Sequence, residues 1–478
     1  LLRSGNLTTD WASVAARFCE AVSELGRRGF AGGLITCDVR AVHDAGGSEA
    51  QELAVGLALG VAYLRAMADN GHDVSRISSD MSWTMAIDAD QFLGIAKLRA
   101  MRLLWGRIVE ASGLEANPID IHAETAWRMM SRRDAAVNLL RTTMATFTAG
   151  IGGADSITVL PYTLPFGLPN AFARRIARNT QTVLLEESNL WRVADPVAGA
   201  GAYEAITDEL SNAAWAAFQE IEAEGGLLKS LNDGRLQTRI TAVRLKRQEK
   251  IARRDFELTG TSAFPNLAEV DEETLDVPRR STDAAGAAPA GSGNAKFADL
   301  VRTEREAPAS TESSSPPAPS LTVEALPSLR DSEPFEALRD AADAAAAKHG
   351  RAHVFLANLG PLAEHGTRAT WIRNLLAAGG IDAQSNDGFT NSADAGNAFA
   401  ENGAAIACMC GTDETYSQLA ESTAGALKAA GARKVYLAGR AGGDEAALRE
   451  AGVDGFLHHG MNVVEALEKL QEDLGVGG

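Results

Sequence analysis

His122 is the residue of this sequence best placed to do chemistry. It sits near the end of a short apolar segment, IDIHAE (119–124), and parallel strands of an α/β barrel deliver their catalytic groups at carboxyl ends. A neutral imidazole there can donate a hydrogen bond to a substrate carbonyl, or it can be a satisfied core or interface histidine. His43 and Asp44 follow a second such segment, GLITCD (33–38). Asp44 with Gly46 and Gly47 also reads as a plain turn, with Ser48 capping the next helix. Arg178, Asn179 and Gln181 precede a run of small residues, Ala198 to Ala202, that permits close backbone approach. Neither this run nor AGRAGG (438–443) has the G-x-G-x-x-G spacing or a Walker lysine, so neither is a phosphate loop. The loop inside HVFLANLGPLAEHG (353–366) lies where a doubly wound sheet holds its ligand, yet it carries no obvious ligand chemistry.

The elements that position these residues follow from hydropathy. Strands are expected at 33–38, 75–79, 119–124 and 156–161, and 182–188 (TVLLEES) fits a strand or the start of a helix. Between them, the segments 50–71 and 88–113 repeat apolar residues at i, i+3, i+4 and i+7, which predicts helices with one core-facing stripe. Alternating strands and helices at roughly 35–45-residue spacing imply parallel strands and favour a (β/α) barrel over residues 1–257. Residues 258–333 are rich in Ala, Pro, Ser, Thr and Gly and cannot bury enough apolar surface to offset chain entropy, so an extended or disordered linker is expected. Residues 334–478 read as five strands alternating with five helices, a flavodoxin-like sheet of order 2-1-3-4-5.

Composition narrows the classes. Acidic residues outnumber basic ones 63 to 45, for a net charge of −18, which disfavours broad nucleic-acid binding. The four cysteines, Cys19, Cys37, Cys408 and Cys410, include no C-x-x-C pair and read as buried free thiols; no metal site is expected. The longest apolar run, 53–64, is too short to span a bilayer. No signal peptide is visible, and a cytoplasmic protein is expected.

Taken together, IHAETAWRMMSRRDAAVNLLRTT, ADSITVLPYTLPFGLP, RRIARNTQ with LLEES, and DPVAGAGAYE, followed by a five-stranded domain, resemble the methylmalonyl-CoA mutase family. The resemblance covers nearly the whole chain except the linker. It implies a substrate-enclosing (β/α)8 barrel followed by a cobalamin-binding domain, with adenosylcobalamin supplying a radical for the interconversion of (R)-methylmalonyl-CoA and succinyl-CoA. It also implies that the first barrel strands lie outside the supplied residues.

Several positions depart from the family pattern. The cobalamin domain's D-x-H-x-x-G, whose His is the lower cobalt ligand, falls here on Leu362, Glu364 and Thr367. Moving the frame to His365 puts Ala363 and Arg368 at the Asp and Gly positions. The S-x-L after the third strand is replaced around Met409–Gly411, and the later paired Gly is partly kept near Gly439. In the barrel, His122 matches the substrate-carbonyl histidine and is the one such position that survives. Its H-C-Q-T-S-G-W context reads HAETAW, with Glu124 for Gln and one residue deleted. The polar floor Q-S-L-H-T-N reads Asp155, Ser156, Ile157, Thr158, Val159 and Leu160 and becomes largely apolar. The substrate-carboxylate Arg has no counterpart; Arg76 is nearest, at the wrong spacing.

Some members of the family pair a catalytic large chain with a homologous small chain that keeps the fold and binds no cobalamin. DADQFLGIAKLRA, WRMMSRRD and GIGGADSITVLP resemble that small chain. No catalytic or cofactor-binding residue is then expected in this chain, and a homologous large subunit would hold the adenosylcobalamin and the acyl-CoA. The alternatives are a divergent mutase chain with its own activity or a regulatory binding module.

Overall fold

The computed structural model describes residues 1–7, 9–30, 33–77, 80–115, 117–270, 272–276 and 321–476, so most of the expected linker lies outside the described residues. The chain is mixed α/β and divides into two compact units that are not contiguous in sequence. The first comprises Leu1–Met130, Asn138–Leu245 and Glu273–Arg330; the second comprises Ser131–Val137, Lys246–Glu272 and Asp331–Gly478.

Unit one is built on four parallel strands in sequence order: β1 (Ile35–Asp38), β2 (Met81–Ile87), β3 (Asp120–Thr125) and β4 (Ser156–Thr158). The described residues form an open sheet of four parallel strands, and no closed eight-stranded barrel. The sheet has one apolar face, where Cys37, Trp83, Met85, Ile87, Ile121 and Ala123 are buried. Helices α1 (Glu49–Asp69) and α2 (Gln91–Ala111) cover the core, and α3 (Gly201–Ala223) packs on both. Ser48 and Gln51 form a reciprocal capping box that fixes where α1 begins. Trp105 of α2 packs on Trp83 with ring centroids 4.6 Å apart. A Cβ at Gly60 would lie 2.5 Å from the Trp105 ring, so the helix–helix approach requires glycine there.

Two expectations are corrected here. The segment expected as a strand at 75–79 begins inside a helical turn, Val74–Ile77, and the strand lies further on, at Met81–Ile87; Ser78 and Ser79 lie outside the described residues. Ser82 and Thr84 alternate with buried apolar residues, so the strand has no continuous apolar run to mark it. The ambiguous segment 182–188 is helical, a wide π-type turn over Val183–Glu187 that continues the helix Ala171–Thr182.

Unit two is a five-stranded parallel sheet. Its elements are α4 (Glu333–His349), β5 (His353–Asn358), α5 (Leu362–Ala378), β6 (Asp382–Gln384), α6 (Ser392–Asn402), β7 (Ile406–Cys410), α7 (Asp413–Ala429), β8 (Lys434–Ala438), α8 (Glu445–Glu450), β9 (Gly455–Leu457) and α9 (Val463–Leu474). The spatial order β6-β5-β7-β8-β9 is the expected 2-1-3-4-5. Alternate residues of one strand serve two cores. Leu356, Cys408 and Tyr436 pack with Ile372 and Leu467 on one face; Ala357, Met409 and Leu437 pack with Phe399, Ala420 and Leu448 on the other. Arg133 binds Glu269, Asp340 and Asp343, and Arg132 binds Glu336 and Asp340, which anchors the SRRD segment inside this unit.

Candidate functional site

Apart from Ala86, the face of the unit-one sheet opposite its apolar core is polar. The parallel register sets Thr36 beside Ser82, Asp38 beside Thr84, Thr84 beside His122, His122 beside Ser156 and Glu124 beside Thr158. The expectation of a largely apolar floor at 155–160 is therefore corrected. Period-two alternation sends Ser156 and Thr158 to the His122 face and leaves Ile157 on the other. His122 is held at both ring nitrogens, Nδ1 2.8 Å from Ser156 Oγ and Nε2 3.0 Å from Thr158 Oγ1. One hydroxyl donates and the other accepts, whichever tautomer is present. In this arrangement neither ring nitrogen is left over for a substrate carbonyl.

Charges gather at the carboxyl ends of β1, β2 and β3. Arg40 pairs with Asp38 at 2.7 Å and with Glu124 at 2.6 Å, so Glu124 has a cation of its own. Arg3 lies 3.2 Å from Asp44, whose carboxyl is nevertheless pushed up to about 6 by burial. Beyond these lies a buried group that the sequence did not reveal. Arg128 reaches Asp88 at 3.1 Å and Glu49 at 3.5 Å, and donates to the carbonyls of His43 and Gly47. Lys97, 1% exposed, pairs with the fully buried Glu52 at 2.8 Å and donates to the Ala86 carbonyl, while Glu52 accepts from the Ala86 N–H.

His43 is completely buried, with Nε2 3.4 Å from Asp88. Burial is the main force holding its pKa down to about 3, and the Arg128 charge adds to it. His43, Glu49 and Asp88 present three donor atoms within 4.8 Å of one another, the one such group among the described residues. The Arg128 guanidinium bridges both carboxylates, so the three groups sit within a buried ion-pair network. The signal in the sequence was Lys97 and Glu52 lying within otherwise apolar helical stripes.

The other sequence candidates take structural places. Arg178 and Asn179 lie exposed on the helix Ala171–Thr182, while Gln181 lines a cavity of about 220 Å3 with Thr146, Ser156 and Trp191. In the Gly-rich run, Gly199 donates to Glu204 of the following helix, and Glu204 also pairs with Arg99 at 3.0 Å. That loop is a turn satisfied by its own chain. All four cysteines are free and buried, and burial raises the Cys37 thiol far above its ordinary range.

In unit two the loop after β5 is closed by its own side chains. Gly360 takes φ +77°, and a Cβ there would strike the carboxylate of Glu364. Glu364 accepts a hydrogen bond from the Thr415 hydroxyl at 2.5 Å, across the switch between β5 and β7. His365 is buried and donates from Nδ1 to the Gly360 carbonyl at 3.0 Å, a satisfied core histidine. Leu362 is 73% exposed and Thr367 lies on the exposed face of α5. The following helix begins at Leu362 with Pro361 at the cap position, and Gly366 does not interrupt it.

Comparison with known proteins adds the lineage. The profile of the methylmalonyl-CoA mutase family matches residues 34–290. A methylmalonyl-CoA mutase small subunit of Streptomyces virginiae is 41% identical over 478 residues, covering 99% of this chain and 69% of that protein. This chain belongs to the methylmalonyl-CoA mutase family. The small subunit of Propionibacterium freudenreichii subsp. shermanii is 36% identical over 92% of this chain and 63% of its own length. A methylmalonyl-CoA mutase of Cereibacter sphaeroides is 35% identical over 49% of this chain. The chain thus spans about two thirds of the length of its small-subunit relatives.

On the motif frame expected from the sequence, a cobalt ligand would fall on Glu364, a carboxylate already hydrogen-bonded to Thr415. The supporting Asp would fall on the solvent-facing Leu362. These residues do not fit an adenosylcobalamin held through an imidazole.

Proposed function

We propose that this chain is the non-catalytic small subunit of adenosylcobalamin-dependent methylmalonyl-CoA mutase, and that it stabilises a homologous large subunit. The complex interconverts (R)-methylmalonyl-CoA and succinyl-CoA, and the large subunit binds both cofactor and acyl-CoA. The single observation that carries this reading is Glu364 at the ligand position, hydrogen-bonded within its own chain. The bound state of His122 between Ser156 and Thr158 supports it. A fold kept without its site is explained by a structural demand, and a pseudo-symmetric interface between homologous chains supplies one.

On this reading the four-stranded sheet is one half of a (β/α)8 barrel whose polar face lines the interior. Residues 1–257 belong to that barrel, 258–333 link, and 334–478 are a flavodoxin-like relative of the cobalamin-binding domain. The protein works in the cytoplasm. No helix among the described residues is long and apolar enough to cross a membrane.

The test is co-expression with a large chain that carries an intact D-x-H-x-x-G. A constitutive complex on size-exclusion chromatography, active with adenosylcobalamin, is the expected result. Turnover of methylmalonyl-CoA by this chain alone would overturn the reading and favour a divergent catalytic chain. Transient association without a stable complex would favour a regulatory module.

A further inference from the structure

The crevice past the carboxyl ends of β5, β7 and β8 is where a doubly wound sheet takes its ligand, and here one side chain fills it. Tyr416 projects from the first turn of α7 and is 9% exposed. Its position is fixed by Thr412, which caps the helix by accepting from the Thr415 N–H. The Tyr416 hydroxyl accepts from the Gly411 N–H at 3.0 Å and donates to the Ala438 carbonyl at 2.8 Å, with the Met409 carbonyl 3.1 Å away. It therefore joins the ends of β7 and β8. Burial pushes the phenol far above its ordinary range, so the hydroxyl remains a donor at any working pH.

Arg368 of α5 covers the ring with its guanidinium carbon 4.9 Å from the centroid. It also donates to the Gly411 carbonyl at 2.7 Å and pairs with Asp413. A Cβ at Gly439, after β8, would lie 3.3 Å from that same guanidinium carbon, so the space beyond β8 is taken as well. With the Glu364–Thr415 bond on the β5 side, all three loops are tied by side chains of the chain itself.

We propose that Tyr416, clamped by Arg368, is a built-in plug that occupies the volume a cofactor would need and replaces it as the tie between the strand ends. The proposal rests on the small-subunit reading and deepens it. Loss of the cobalt ligand alone would leave an open crevice with unpaired main-chain groups; the plug removes that defect. A ligand that displaced Tyr416 would have to replace its bonds to the Gly411 N–H and the Ala438 carbonyl or leave those groups buried without partners, a penalty that favours the closed form.

The test uses the full chain, hydroxocobalamin as probe, ultrafiltration to detect retained corrinoid, and calorimetric melting. Wild type is expected to retain no corrinoid at about 100 µM, roughly a hundredfold above the micromolar range of weak specific ligands. Tyr416→Phe, which keeps the ring and loses the ties, should melt about 3 °C lower and still exclude the corrinoid. Tyr416→Gly should melt roughly 8–15 °C lower, as for other large-to-small core changes. Millimolar p-cresol, which matches the deleted group, should raise the melting point of the Gly variant and not that of wild type.

One-to-one corrinoid retention by wild type would overturn the plug, as would a Gly variant that melts like wild type or does not respond to p-cresol. If the Gly variant does not fold, an unchanged melting point in Tyr416→Phe overturns the tie on its own. Failure of the small-subunit reading appears instead in the complex and turnover measurements, which these variants do not touch.

Discussion

The two units of this chain carry the same device, a parallel sheet with loops at its carboxyl ends, and close it by opposite means. In unit one the closure is electrostatic: Arg128 and Lys97 lie buried against Asp88, Glu49 and Glu52, with His43 held neutral beside them. In unit two it is chiefly packing and hydrogen bonding: Tyr416 ties the strand ends beneath the Arg368 guanidinium, and one carboxylate, Glu364, accepts from a threonine. Buried charges balance large desolvation costs against large attractions, so removing one partner is expensive and acid acts on the rest. A neutral plug has no comparable pH dependence. The comparison teaches that two sheet ends can be closed by side chains of the same chain and yet inherit very different sensitivities.

The largest expected effect breaks the electrostatic side. Lys97→Ala leaves Glu52 buried without its cation and should destabilise unit one by about 3–5 kcal/mol, read as a shift in the urea midpoint. Lys97→Met with Glu52→Leu, which removes both charges, should recover most of that loss. If the single and double variants unfold alike, the pair is not what holds this end of the sheet.

The next effect is pH. Unfolded His43 takes up a proton near 6.5, whereas the folded residue resists until about 3. Its native contribution is therefore present above pH 6.5 and is lost as pH falls toward 3, by up to on the order of 4 kcal/mol. Asp44 acts in the opposite sense. Its folded pKa of about 6 lies above the ordinary value of 3.8, so its contribution is full below about pH 4 and gone above 6. His43→Gln should flatten the loss of stability between pH 6.5 and 4, and Asp44→Asn should steepen it. Identical pH profiles for wild type and His43→Gln would show that the histidine does not report on this cluster.

A smaller effect sharpens the unit-two side. Glu364→Gln keeps an acceptor for Thr415 and should cost no more than about 1 kcal/mol, read as a shift in the urea midpoint. The smallest effect of all is expected at His122. In the proposed complex with a large subunit, His122→Ala should leave turnover within about twofold, whereas a loss near a hundredfold, the scale of one acid–base or oxyanion contact, would mean a live site in this chain.

How much of this was legible in the sequence differs between the units. The strands of unit two are buried on both faces, so HVFLAN, IACMC and KVYLA stand out as continuous apolar runs between turn residues. The sheet order followed from them. Strand Met81–Ile87 was misplaced because a sheet with one polar face writes Ser82 and Thr84 into the strand itself. The absence of an imidazole at Glu364 was readable by position alone, since a missing residue type needs no geometry.

What fills the resulting space was not readable. Tyr416 and Arg368 are ordinary helix residues until the fold sets them against Gly411, Ala438 and each other, from elements 48 residues apart in the chain at those two positions. The Arg128 cluster is likewise assembled from three strand ends and a helix start. The sequence by itself determined the lineage, the alternation of elements and the residue types at the motif positions, because those depend on residue type and local period. The tertiary structure alone decided that both carboxyl ends are closed and by which side chains, because ion pairs and hydrogen bonds depend on distances that linear spacing does not carry.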